Sequence, residues 1–178
     1  KGEVVNTPSF ELELNEALPL DVKDSEEEIS IASGELTLVI TKKSWSMTYY
    51  RNGEMITRSA GRDLALMKTD FKGLAYNYTD SEETYMRQML SLSVGELVYG
   101  MGERFTPFVK NGQSVDIWNA DGGTSTEQSY KNIPFYLTNK GYGVLVNHSE
   151  KVSFEVATEM VTRTEFSVEG GYLDYFLI

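Results

Sequence analysis

Apolar residues recur at every second position in one segment after another of this chain. No run keeps the three-to-four spacing of an amphipathic helix for more than about two turns. Phe10, Leu12 and Leu14 alternate with Glu11 and Glu13; Leu36, Leu38 and Ile40 with Glu35 and Thr37; Val152, Phe154 and Val156 with Lys151, Ser153 and Glu155. Successive strand residues point to opposite faces, so each run predicts a strand with one dry face and one wet one. Turn chemistry separates the runs. Asn52-Gly53 joins residues 44–50 to 55–59, and a type I′ turn needs the positive φ that Asn and Gly tolerate. Asn139-Lys140-Gly141 joins 135–138 to 142–147 in the same manner. Further strands are predicted at 28–31, 64–69, 74–78, 84–92, 115–118 and 163–168, and no repeat of 20–50 residues is present. The pattern predicts an all-β fold, an antiparallel β-sandwich, with residues 1–178 as a single domain.

Composition removes several chemistries. The 178 residues contain no Cys, which excludes a disulfide framework, a thiol nucleophile and a thiolate zinc site. A single His cannot form a paired-His metal site. The net charge of −11 argues against nucleic acid, and no stretch approaches the ~18 consecutive apolar residues of a membrane-spanning helix. Residues 1–30 carry nine acids and two bases, a net of −7, centred on the run from Asp21 to Glu28. That run lacks the spacing of a calcium loop and reads as a solvated loop or the edge of a strand. The sequence starts at Lys1 with no signal-peptide pattern, and its last seven residues read as a strand stopping in mid-run. The expectation is a domain cut from a longer chain. Freedom from Cys suits cytoplasm and periplasm alike, so the compartment stays open.

Residues 106–131 break the rhythm with a long polar connection, a feature that usually carries function in a compact domain. Within it, Trp118-Asn119-Ala120-Asp121-Gly122-Gly123-Thr124 pairs an indole with a carboxylate, an amide and a hydroxyl. An aromatic face covers the C–H face of a pyranose while carboxylate and amide hold its hydroxyls. The same residues also suit a tight turn in which Asp121 caps its own backbone and Trp118 packs in the core. In Tyr99-Gly100-Met101-Gly102-Glu103-Arg104-Phe105 the glycines lack the rest of a phosphate-binding fingerprint. Glu103 and Arg104 are expected as buried or half-buried groups pinning the sheet to the long loop. His148 is expected at the surface. Asn77-Tyr78-Thr79 and Asn147-His148-Ser149 match the glycosylation acceptor pattern, which arises often by chance.

Taken in order, three segments resemble glycoside hydrolase family 31. Residues 97–105 resemble its tyrosine-glycine-x-glycine-glutamate element. The run from Trp118 to Tyr136 is similar to the bacterial α-xylosidase branch, and Gly141-Tyr142-Gly143-Val144-Leu145-Val146-Asn147 continues the match. The resemblance implies a β-sandwich of the galactose mutarotase-like supersandwich type, preceding a catalytic (β/α)8 barrel. It implies a retaining parent enzyme with two catalytic aspartates on that barrel, an α-xylosidase acting on xyloglucan-type oligosaccharides or an α-glucosidase. The barrel motifs are absent here, so this chain is expected to hold no catalytic residue, cofactor or metal and to be inactive alone. Its expected part is to extend loop 106–131 to the barrel's active site, with Asp121 contacting a sugar hydroxyl and Trp118 and Thr124 beside it. Ala120 stands where relatives often carry a basic or polar residue, which leaves aglycone preference open. The expected partner is a carbohydrate shared with the barrel, and the parent can be a homo-oligomer. A stand-alone carbohydrate-binding module and a purely structural domain are the alternatives; a mutarotase ranks low because its proton shuttling usually draws on more than one His.

Overall fold

The computed structural model describes residues 10, 12, 18–70, 82–120 and 129–178. Among them lie fourteen strands and no helix. Sheet I is an antiparallel meander of β1 (Asp21–Asp24), β2 (Glu28–Ser33), β3 (Leu36–Thr41), β4 (Ser46–Arg51) and β5 (Glu54–Ser59). Sheet II orders β6 (Leu64–Asp70), β7 (Glu82–Ser91), β13 (Arg163–Glu169), β12 (Val152–Val156) and β9 (Gln113–Ile117). Sheet III orders β14 (Tyr175–Leu177), β11 (Gly143–Val146), β10 (Phe135–Thr138) and β8 (Val98–Gly100). All neighbouring strands are antiparallel.

Turns and edges follow the sequence pattern. Asn52 and Gly53 have φ of 51° and 81°, the left-handed pair that a two-residue hairpin turn requires. The acid run supplies β1, an edge strand whose four residues are all exposed. Charge on an edge strand discourages pairing with another chain. The strand expected at 115–118 is longer and begins earlier, as β9, leaving Trp118 just past its end. The strand read at the C-terminal end is confined to β14. The predicted strand 74–78, most of the Phe10–Leu14 run and Asn77-Tyr78-Thr79 lie outside the described residues.

Sheets II and III form the sandwich. Leu90, Phe154, Phe166 and Val168 from sheet II meet Val98, Tyr136, Val144 and Val146 from sheet III, all buried. Tyr136 meets Phe154 edge-on at 6.1 Å, Phe154 packs on Phe166 at 6.0 Å, and Phe166 meets Tyr175 at 5.2 Å between ring centroids. Sheet I is attached through Ile56 in this core and a 2.8 Å hydrogen bond shared by the Tyr49 and Tyr175 hydroxyls. Arg51 also donates to the Gly141 carbonyl at 2.9 Å.

One buried polar pair ties the turn before β11 to the segment before β8. The Tyr142 hydroxyl donates to Glu96 Oε1 at 2.6 Å, and the Ser93 amide donates to Glu96 Oε2 at 2.7 Å. Both Tyr142 and Glu96 are buried. Tyr142→Phe removes a donor and leaves a buried carboxylate oxygen behind, which costs about 1–3 kcal/mol. A lowered denaturant midpoint is the expected result; an unchanged midpoint would show that water replaces the donor at no cost.

Candidate functional site

The site is built from the end of β8 outward. Gly100, Met101 and Gly102 take φ of 109°, 68° and 87° in succession. This turns the chain sharply and lays it against residues 131–136. A Cβ at Gly100 would stand 2.8 Å from the Phe135 carbonyl oxygen, and one at Gly102 would stand 2.0 Å from that of Lys131. The Met101 amide donates to Phe135 O at 2.8 Å and the Glu103 amide to Lys131 O at 2.9 Å, while the Met101 side chain is buried. The two glycines thus serve close backbone approach.

Arg104 follows as a hub. Its Nε donates to Met101 O at 3.1 Å, and its Nη2 donates to Asp116 O at 2.8 Å and to Asn132 Oδ1. Asn132 Nδ2 in turn donates to Trp118 O at 2.9 Å, Asn119 Oδ1 at 3.0 Å and Ser129 O at 2.6 Å. The Ala120 amide donates to Ser129 O at 2.9 Å. Both limbs of the long connection, 118–120 and 129–132, are therefore fastened to each other and to the turn after β8. The half-buried Arg104 fills the pinning role expected of it. Glu103 does not: its side chain is exposed and, among the described residues, pairs with the exposed Lys131 at 2.7 Å, an ion pair of little energetic weight. The turn directs that side chain outward, and the Glu103 backbone does the fastening.

Trp118 is 59% exposed, which overturns the alternative in which it packs in the core. Two clefts share it. One, about 660 Å³, is lined by Arg104, Asp116, Trp118, Glu150, Lys151 and Glu169 among others. The second, about 300 Å³, includes Trp118, Asn119, Asn132 and His148. Asp116 accepts from Lys151 Nζ at 2.6 Å and Ser153 Oγ at 2.6 Å. Burial pushes its carboxyl pKa up, but those two hydrogen bonds and the charges of Lys151 and Arg104 outweigh burial and hold it below the usual carboxylate range. Asp116 is thus kept ionised and is unsuited to act as a general acid. Asp121 and Thr124 lie outside the described residues. Asn132 and Ser129, which do most of the fastening, carry no sequence signal that singles them out. Among the described residues no group of three His, Asp or Glu could hold a metal ion.

His148 is corrected from surface to interior: it is 1% exposed, and among the described residues neither ring nitrogen has a hydrogen-bond partner. The neighbouring Asn147 is buried as well, donating to Asp174 Oδ2 at 2.9 Å and accepting from the Phe10 amide at 2.9 Å. Its acceptor-like triplet therefore serves packing. Burial lowers the His148 pKa, with Glu150 opposing. Below about pH 6.5 the unfolded chain takes up a proton that the folded chain resists, so stability is full above that pH and falls as pH drops. The slope approaches about 1.4 kcal/mol per pH unit. Denaturation midpoints from pH 7 to 5 should fall less steeply in His148→Asn; equal slopes would refute the assignment.

Residues 1–155 match the sequence profile described as the glycosyl hydrolase 31 N-terminal galactose mutarotase-like domain. An α-xylosidase, XylQ, from Lactiplantibacillus pentosus is 42% identical over 173 residues, covering 96% of this chain and 21% of that protein. An α-xylosidase from Emericella nidulans is 64% identical over 94 residues, 53% of this chain and 12% of that protein. The cycloalternan-forming enzyme of Listeria monocytogenes shares the fold with a TM-score of 0.75 at 22% identity, over 89% of this chain and 15% of that one. The chain thus spans about a fifth or less of the length of each of these proteins. With a profile match over most of its length and an all-strand sandwich to go with it, the chain belongs to the glycosyl hydrolase 31 N-terminal galactose mutarotase-like domain family.

Proposed function

We propose that this chain is the non-catalytic N-terminal domain of a retaining α-glycosidase, an α-xylosidase acting on xyloglucan-type oligosaccharides. Loop 106–131 reaches the active site of the barrel that follows and lends Asp121, Trp118 and Thr124 to the substrate subsites. The observation that carries this reading is the doubly fastened stem: Arg104 and Asn132 hold both limbs in place while the Trp118 indole stays 59% exposed. An exposed indole held by a rigid stem offers a preorganised plate for a sugar ring. Retaining hydrolysis needs two carboxyl groups ~5–5.5 Å apart, and in this reading the barrel supplies both.

The test is xylose release from xyloglucan oligosaccharides by the whole polypeptide, alongside calorimetry of the 178-residue chain with the same sugars. Hydrolysis by the whole polypeptide and no saturable heat from the chain alone are expected. Saturable binding by the chain alone favours a carbohydrate-binding module instead, and preferential cleavage of α-glucosides overturns the xyloside assignment.

A further inference from the structure

Trp118 borders two clefts, and the larger one lies against the β9 side of sheet II. Val115 and Ile117 of β9 point into the core, so alternation turns Asp116 outward and continues to Trp118 on the same side. Both line the cleft of about 660 Å³. The register sets Ser153 of β12 opposite Asp116 and Ser167 of β13 opposite Ser153. Asp116 Oδ1 accepts from Ser153 Oγ at 2.6 Å, and Oδ2 accepts from Lys151 Nζ at 2.6 Å. Arg104, also in the lining, is held by the Met101 and Asp116 carbonyls. These polar groups are thus oriented before any ligand arrives. Stability does not account for them. Lys151 and Asp116 are each more than half exposed, and exposed ion pairs contribute little to folding.

Three features of the lining choose the class of ligand. Charges of both signs mix there, Arg104 and Lys151 with Asp116, Glu150 and Glu169, so no single-sign field favours a phosphate or a cation. Among the described residues, each Asp116 oxygen keeps a lone pair and Lys151 keeps two of its three N–H donors, which suits hydroxyls that both give and accept. The exposed indole adds an apolar plate beside them, and the volume falls within the roughly 300–1,000 Å³ of small-molecule sites. A neutral sugar, with hydroxyls at its edge and a C–H face, has that combination. We propose that this cleft is a sugar subsite in which Trp118 carries one ring of the oligosaccharide while Asp116 and Lys151 hold its hydroxyls. The proposal rests on the functional reading above and adds Asp116 of β9 and Lys151, just before β12, to the residues that contact substrate. These two then set a preference for longer oligosaccharides over a single xylose unit on a simple leaving group.

The test is a ratio: kcat/KM for a xyloglucan heptasaccharide over kcat/KM for para-nitrophenyl α-xyloside, measured on the whole polypeptide. Lys151→Met keeps the length of the side chain and loses its donors. The ratio should fall roughly tenfold or more, the loss expected for one hydrogen bond to a charged group. A contribution of that size does not by itself give saturable binding, which agrees with the absence of heat expected from the chain alone. Asp116→Ala should lower the ratio to a similar extent, and a melting temperature near that of the wild type certifies the fold of each variant. An unchanged ratio in either folded variant overturns the proposal. An equal loss on both substrates overturns it too, because the pair would then act on the fastened stem and not on a sugar ring. If the wild type cleaves neither substrate, the functional reading falls and the subsite with it; cleavage with an unchanged ratio in the variants removes the subsite alone.

Discussion

Gly102→Ala is expected to lower stability by about 2–5 kcal/mol, an effect reaching the upper end for single substitutions. Two causes add. The residue sits at φ 87°, where a Cβ is strained by about 1–2 kcal/mol. In addition, the new Cβ would stand 2.0 Å from Lys131 O and 3.0 Å from Asn132 Cα. Both are backbone atoms, so relief requires the 131–132 limb to move, and overpacking of that kind costs about 1–3 kcal/mol. Gly95→Ala separates the causes, because Gly95 has φ 73° but nothing within 4 Å of its Cβ position. It should lose only the strain contribution of about 1–2 kcal/mol. Similar denaturant midpoints for the two variants would show that the turn after β8 is not held by close approach. The movement also displaces Asn132, whose side chain holds the Trp118 carbonyl and the Asn119 amide oxygen. Gly102 should therefore matter to any role of the indole as well as to folding.

Much of the sandwich was legible because its strands obey local rules. The alternation at 152–156 coincides with β12, and the Asn52-Gly53 pair has the two positive φ angles its composition predicts. β8, of three residues, was less legible, since its hydrogen bonds come from β10 rather than from any pattern of its own, whereas β14 lies within the strand read at residues 172–178. At the site, the sequence singled out Trp118 but left two environments open for it. The choice depends on Asn132, which reaches back 14 residues to the Trp118 carbonyl, a contact no spacing rule anticipates. His148 was misplaced for a related reason. A His just past a strand has no local cause to be buried, and its burial follows from packing around Asn147, Asp174 and the Phe10 segment. Glu103 and Arg104, adjacent in sequence, part company because the positive-φ turn points one side chain outward and the other toward Asp116 and Asn132.

The same hub frames the largest expected effect on function. If the fastened stem presents residues 118–124 to substrate, removing the Asp121 carboxylate deletes charge-assisted hydrogen bonds to a sugar hydroxyl, worth about 1.5–3 kcal/mol. That corresponds to a loss of about 10–100-fold in kcat/KM. Trp118→Ala removes the stacking plate, about 0.5–1.5 kcal/mol or up to about tenfold. The Trp118 change leaves the packed core alone, since Trp118 is exposed and holds the stem through its carbonyl, which alanine retains. Thermal midpoints should therefore stay where they are, which separates loss of a contact from loss of fold. The decisive measurement is kcat/KM of the whole polypeptide and its Asp121→Ala variant on a xyloglucan oligosaccharide. The account predicts a fall of about 10–100-fold with an unchanged melting temperature. Unchanged kcat/KM in the variant would contradict it.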